Sequence, residues 1–423
     1  MKLDMPLVRN SSWLFVARVG AQICAVVVTY LLTRRLSLAE FGEYSFIAAA
    51  ILIGNTLTTF GSDMYLIREI ASKDDYSLLS PALTLQLVFS TAFIFLVFVF
   101  SPHLPNQTSE SIFALRVYSF ALIPLAFYAV FTSAFRGAQK MDSYALLNLL
   151  VSILQVAAIY WFLESGSGIV TLAYLLLGVQ LMATAAAGLF CAATIPRFLT
   201  GWQFSGNKIR GLLIACLPIA LIAVLGILYQ RLSLTMLSLF GSASIAGLFS
   251  ASLRVVEATR MGHFAVLTAM YPAMANSNEK KDSSESFGRT FMLLLAMAVV
   301  INAILFAFAK SIIAVFFGVE FQMSVASLRI LSLAISPYTV NSFLSLRYLV
   351  DKREKDLMRI LSMSLTLLFL MNIWLIPRFG LIGASWASVS AEVIQAAIMF
   401  SFWRLKTNSL QKGRSHELSN PSR

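Results

Sequence analysis

Apolar runs about twenty residues long recur from one end of this 423-residue chain to the other, separated by short polar segments. That period is the length an α-helix needs to cross a hydrocarbon layer about 30 Å thick. The pattern predicts helices near 11–32, 41–62, 81–102, 112–135, 143–163 and 169–193, then near 211–234, 242–275, 289–309, 322–349, 357–376 and 380–404. The longest connections, 194–210 and 276–288, are too short to hold a catalytic domain. The first apolar run is too long for a signal-peptide core and has no small-residue cleavage site, so it is expected to stay as a membrane helix. The expected fold class is an all-α polytopic membrane protein of about 12 transmembrane helices.

The two halves resemble each other. Leu115–Pro124 (LRVYSFALIP) and Leu328–Pro337 (LRILSLAISP) coincide at five of ten positions. At the same offset Trp161 answers Trp374, and at one residue less Gly168 answers Gly380. Near the start of each half, Gly42, Tyr44 and Ser45 answer Gly247, Phe249 and Ser250. The expected organisation is an N-terminal six-helix bundle, 1–196, a cytoplasmic linker, 197–210, a C-terminal six-helix bundle, 211–404, and a polar, basic, disordered tail, 405–423. Six helices per copy make the repeats parallel, with a central cavity between the bundles near the membrane midplane.

Composition agrees, with 58% apolar and 12% charged residues. The formal net charge of +12 is scattered through short loops instead of forming a basic domain, so it points to membrane topology and not to nucleic acid. With both termini cytoplasmic, most Lys and Arg lie on the inner side, although Arg34 and Arg35 fall in the first outer loop. Cys24, Cys191 and Cys216 lie in apolar runs without metal or disulfide spacing and read as small core residues.

Charge inside the spans is what calls for chemistry. The stretch 241–275 carries Arg254, Glu257, Arg260 and His263 in its middle, where charge is retained only against a protein interior or a watery cavity. Spacing of three makes Arg254, Glu257 and Arg260 neighbours in a slowly winding stripe. Glu257 can neutralise one arginine, and the other then needs a protein or ligand partner. Arg18, with Gln22 one turn later, either snorkels to the inner headgroups or joins Arg254 and Arg260 in lining a cationic cavity. Arginine suits such a cavity because its planar fork grips phosphate oxygens in pairs and stays charged when buried, which makes a pyrophosphate-bearing lipid a natural ligand. Asn55, Tyr65, Gln155, Gln180, Asn302 and Asn341 could meet attached sugars or simply bridge helices.

Glu257 and Glu392 are candidates for proton or sodium coupling or for structural ion pairs, and His263 for titration near neutral pH or a plain hydrogen bond. Pro124 and Pro337 would bend their helices and could serve as a pivot. Asp63 and Arg68, with Glu69, form either an inner gate or a solvated salt-bridge network. Arg116 and Arg329, equivalent in the repeat, suggest a structural or interfacial role. The spans contain no nucleophile with a base, no phosphate-binding glycine loop and no metal-ligand cluster, so no catalytic residues, metal or cofactor are expected.

Leu32–Tyr44 (LTRRLSLAEFGEY), Phe60-Gly61, Leu66–Ala71 (LIREIA), Phe135–Tyr144 (FRGAQKMDSY) and Ile245–Glu257 together resemble bacterial polysaccharide and O-antigen flippases of the multidrug, oligosaccharidyl-lipid and polysaccharide exporter (MOP) superfamily. The resemblance implies a transporter of the bacterial inner membrane, not an enzyme. It would move undecaprenyl-diphosphate-linked oligosaccharide to the outer leaflet by alternating access, for O-antigen, lipopolysaccharide or other surface polysaccharide. Arg18, Arg254 and Arg260 would contact the lipid headgroup, and the polymerase and chain-length machinery are implied partners beside the lipid bilayer. The alternatives are an ion-coupled multidrug or small-molecule antiporter, whose cationic cargo would favour acidic residues over arginines, and a membrane-embedded polysaccharide-assembly enzyme, which would need a larger outer loop.

Overall fold

A peptide group inside a bilayer has no water to bond, so an apolar run of this length satisfies its backbone by coiling into a helix. A computed structural model describes residues 5–164, 166–198, 202, 206–275, 282–351 and 353–418. Side chains are described outside 5–12, 14–16, 261–275, 282–287, 289–290 and 403–418. The described residues are helical apart from short connections. In order the helices are α1 (Met5–Arg35), α2 (Leu38–Thr59), α3 (Ser62–Lys73), α4 (Leu79–Phe100), α5 (Ser109–Ser119), α6 (Leu122–Gly137), α7 (Met141–Phe162), α8 (Gly168–Thr194), α9 (Gly206–Phe240), α10 (Ala243–Ala275), α11 (Asp282–Phe316), α12 (Ser324–Ser332), α13 (Ile335–Val350) and α14 (Glu354–Leu418).

All twelve expected spans have a counterpart. The fourth is α5 with α6, the tenth is α12 with α13, and the last two are the arms of α14 on either side of the non-helical Gly380. Seven described helices are long and apolar enough to cross a membrane, or eight with the bent pair α2–α3. One of the seven, α14, holds two expected spans. In α10, Arg254, Glu257 and Arg260 interrupt the apolar run and keep it out of that count.

Local chemistry explains the boundaries. Ser37 starts α2 with a capping box: its side chain accepts the Glu40 N–H at 3.3 Å, and Glu40 Oε2 accepts the Ser37 N–H at 2.8 Å. Phe60 and Gly61 both take left-handed backbone (φ 49° and 68°), which ends α2 and turns the chain by 45° into α3. The sequence pattern did not anticipate α3, whose Leu66 and Ile70 are buried one turn apart. Where a disordered tail is expected after 404, the backbone of α14 continues as a helix as far as Leu418. Lys406, Leu410, Gln411, Lys412 and Arg414 are strong helix formers, which suits them to this continuation.

The repeat is visible in local structure. The breaks at Phe120-Ala121 and Leu333-Ala334 occupy equivalent positions and close with the same pair of bonds to the residue three back, at 3.0–3.3 Å. Arg116 lies over the Phe98 ring at 5.4 Å and donates to the Phe98 carbonyl, and Arg329 lies over Phe306 at 5.5 Å and donates to the Phe306 carbonyl. Gly168 and Gly380 both have positive φ, 75° and 51°.

By packing, the chain forms two compact units: residues 1–251 with 313–323, and 252–312 with 324–423. This differs from the halves expected at 1–196 and 211–404, since α9 packs with the first unit. Its Leu212 and Cys216 share an apolar cluster with Leu66, Ile70, Val130, Phe135 and Cys191. Cys191 and Cys216 are core residues as expected, whereas Cys24 is half-buried. Within the first unit α2 meets the start of α10 backbone to backbone: a Cβ on Gly42 would lie 1.7 Å from the Ala243 carbonyl oxygen. Arg35 donates to the carbonyls of Ile159 and Leu163 at the end of α7. Arg35 therefore completes a helix C-terminus. The second unit packs Tyr348, Leu357, Ile360 and Met399 together, with Tyr348 donating to the Met399 carbonyl at 3.0 Å. Large apolar side chains such as Leu189, Trp161 and Leu293 point outward, as lipid-facing residues must.

Candidate functional site

The polar cluster inside the second unit is built from three helices. From α10, Arg260 brings its guanidinium to 3.6 Å from Glu392 Oε1 on α14, and both side chains are largely buried, 17% and 7% exposed. From α13, Tyr338 lies against the guanidinium with its ring centroid 4.0 Å from the central carbon. One turn further along α13, the Asn341 amide donates to Glu392 Oε2 at 2.7 Å and to the Glu392 main-chain carbonyl at 3.0 Å.

These elements converge for a reason written locally. Pro337 sits in the first turn of α13, where a helix needs no N–H donor, so it starts the helix that carries Tyr338 and Asn341 on one face. Asn341 is 3% and Glu392 5% exposed, and a buried carboxylate must be hydrogen-bonded or paired. Two buried polar atoms of this cluster have no hydrogen-bond partner: Arg260 Nε and Asn341 Oδ1. A cation held by its face, with one donor open and a carboxylate beyond hydrogen-bonding range, can exchange partners with an oxyanion.

Arg260 and Glu392 are separate candidates in the sequence, and the structure brings them together. Arg254 and Glu257 are half-buried on the same helix. The side chain of His263 lies outside the described residues. Arg18 is exposed on α1 in the first unit, with Gln22 half-buried one turn on. Asp63 sits in the first turn of α3, Arg68 is exposed over the Tyr65 ring, and Glu69 pairs with Lys73 at 2.7 Å, so the expected inner cluster is spread around α3. Pro124 is buried in the first turn of α6, and its carbonyl accepts from Thr184 at 2.9 Å. Asn302 accepts from Ser332 at 3.0 Å, a bond between helices. Tyr338 is the residue that sequence reasoning missed. Its signal is the spacing Pro337, Tyr338, Asn341 opposite a span with one carboxylate.

A family model described as Polysaccharide biosynthesis protein matches residues 7–278, more than half of the chain. A comparison with curated proteins finds no match. Among solved structures, the chain is similar to an inward-facing multidrug resistance MATE family transporter of the MOP superfamily. The TM-score is 0.77 at 14% identity, covering 93% of this chain and 96% of that one. It is also similar to a MOP superfamily transporter from Pyrococcus furiosus Vc1, described by a binding pocket of reverse polarity (TM-score 0.69, 14% identity, 96% of each chain). An outward-facing MATE family transporter matches with TM-score 0.67 at 15% identity over 96% of each chain. At these identities the likeness is one of fold, and it spans nearly the whole chain. With its helix order, its internal repeat and this family match, the chain belongs to the polysaccharide biosynthesis protein family and has the fold of MOP superfamily transporters.

Proposed function

We propose that this chain is a flippase that moves undecaprenyl-diphosphate-linked oligosaccharide from the cytoplasmic to the periplasmic leaflet of a bacterial inner membrane. It works by alternating access, with both termini cytoplasmic, in the assembly of O-antigen or another surface polysaccharide. The observation that carries the reading is the largely buried guanidinium of Arg260, set over the Tyr338 ring with its Nε open. A planar cation largely withdrawn from solvent is suited to paired phosphate oxygens. Family membership supplies the link to polysaccharide. A multidrug antiporter would share the fold, but a cationic drug would meet Arg254 and Arg260 as like charges.

Vesicles containing the full chain or its Arg260→Ala variant test this through leaflet-resolved accessibility of a lipid-linked oligosaccharide. Protein-dependent transfer, lost in the folded variant, is the expected result. Transfer retained by the variant removes Arg260 from the site. No transfer of any lipid-linked glycan by folded wild type overturns the flippase reading.

A further inference from the structure

Arg260 and Glu392 are opposite charges buried side by side, yet neither is positioned mainly by the other. Their contact is 3.6 Å, outside the range of the short paired bonds that an arginine fork makes with a carboxylate. Glu392 is tied instead to α13, through two bonds from the Asn341 amide. Arg260 is tied to α13 by the face of Tyr338, and its Nε is buried without a partner. The guanidinium is therefore oriented and neutralised but incompletely bonded.

We propose that Glu392 is a resident stand-in for the anionic group of the substrate. In the empty protein its carboxylate neutralises Arg260. An incoming phosphate takes the guanidinium, including the open Nε, and Asn341 retains the displaced carboxylate. The inference rests on the flippase reading above and adds how the same site lets go of its ligand. A buried cation with no counter-charge is costly in the empty state, and alone it would hold a diphosphate too firmly for turnover. A competitor built into the chain removes both difficulties. Apparent affinity falls by the fraction of time the site is free, so a pair formed about nine times in ten weakens binding about tenfold.

The test is titration of the full chain in nanodiscs with undecaprenyl diphosphate, and with undecaprenol as the uncharged control. Glu392→Gln, which keeps the shape and removes the charge, is expected to bind the diphosphate about tenfold tighter and undecaprenol unchanged. Equal or weaker diphosphate binding by the folded variant overturns the stand-in role and leaves the flippase reading intact. Absence of saturable diphosphate binding by wild type overturns both. Wild-type protein gives a second readout that needs no variant: carbodiimide labelling of Glu392, followed by mass spectrometry, should rise when undecaprenyl diphosphate is added and not with undecaprenol. Labelling that stays level or falls refutes the exchange.

Discussion

Replacing Gly42 by alanine tests the closest helix contact in the first unit, and the sign of the effect is diagnostic. In a helix interior, Gly→Ala ordinarily stabilises by about 0.5–1 kcal/mol, because glycine loses more backbone freedom on folding. At Gly42 the new methyl would lie 1.7 Å from the Ala243 carbonyl oxygen, 2.6 Å from its carbon and 2.9 Å from the Gly247 nitrogen. All three are backbone atoms, so no rotamer change relieves them. Restoring van der Waals contact requires α2 and α10 to part by between about 1.5 and 2 Å. Overpacking of this kind costs about 1–3 kcal/mol, which exceeds the helix-propensity gain. The expected net loss is about 1–2 kcal/mol, or roughly 1–2 °C in Tm for a chain of this length. Gly247→Ala should fall in the same direction, since its methyl would meet the Leu38 carbonyl oxygen at 2.6 Å. Gly178 and Gly226 are the controls: they lie inside α8 and α9 with nothing within 4 Å of an added methyl, and their alanine variants should be neutral or stabilised. The assay is thermal unfolding of the purified full chain in one detergent, all four variants in parallel. A Gly42→Ala protein as stable as Gly226→Ala would refute the backbone-to-backbone crossing.

Two further outcomes follow from the first unit. Arg35→Ala removes the donor to the Ile159 and Leu163 carbonyls and should cost about 1.5–3 kcal/mol per charged hydrogen bond lost, seen as faster amide exchange in the last turn of α7; unchanged exchange there would reject the cap. In the turn between α3 and α4, hydrogen bonds from the Ser77 hydroxyl and backbone N–H hold the Asp75 carboxyl below the usual carboxylate range. A carboxyl lowered on folding contributes stability above its unfolded value of about 3.9 and loses it as pH falls through the folded value. Exchange protection of residues 74–78 should therefore hold above about pH 5 and decline in more acid solution, with Ser77→Ala moving the decline to higher pH. A decline at the same pH in both proteins would count against those bonds.

How much was legible in the sequence depended on whether a feature was local. Twelve spans were readable because hydrophobic length is a property of consecutive residues. The repeat was readable because Leu115–Pro124 and Leu328–Pro337 preserve their own letters. The prolines pointed to a bend, but the breaks fall just before them, because proline in a first helical turn marks a start and costs nothing there. Helix α3 escaped because half its residues are polar and its apolar face is only Leu66 and Ile70. Arg260 and Glu392 were each visible as charges where charge is costly. Their pairing, and the stacking of Tyr338, depended on which faces of α10, α13 and α14 meet, and spacing along one helix does not carry that information.

Duplication itself separates framework from chemistry. Arg116 with Arg329, Gly168 with Gly380 and the paired helix breaks recur in both halves, and each serves a structural purpose: a capped carbonyl, a turn, a start. The members of the polar cluster do not recur. In the register that equates Gly42 with Gly247, Arg254, Glu257 and Arg260 correspond to Ala49, Leu52 and Asn55. In the registers that equate Pro124 with Pro337 and Gly168 with Gly380, Tyr338 and Asn341 correspond to Leu125 and Tyr128, and Glu392 to Gln180. A buried ion pair is an expensive device that apolar residues could replace without loss of stability, so nothing in the architecture requires it in either copy. Its presence in one copy alone sets the second half apart from the first, where the same positions carry the uncharged Asn55, Leu125, Tyr128 and Gln180.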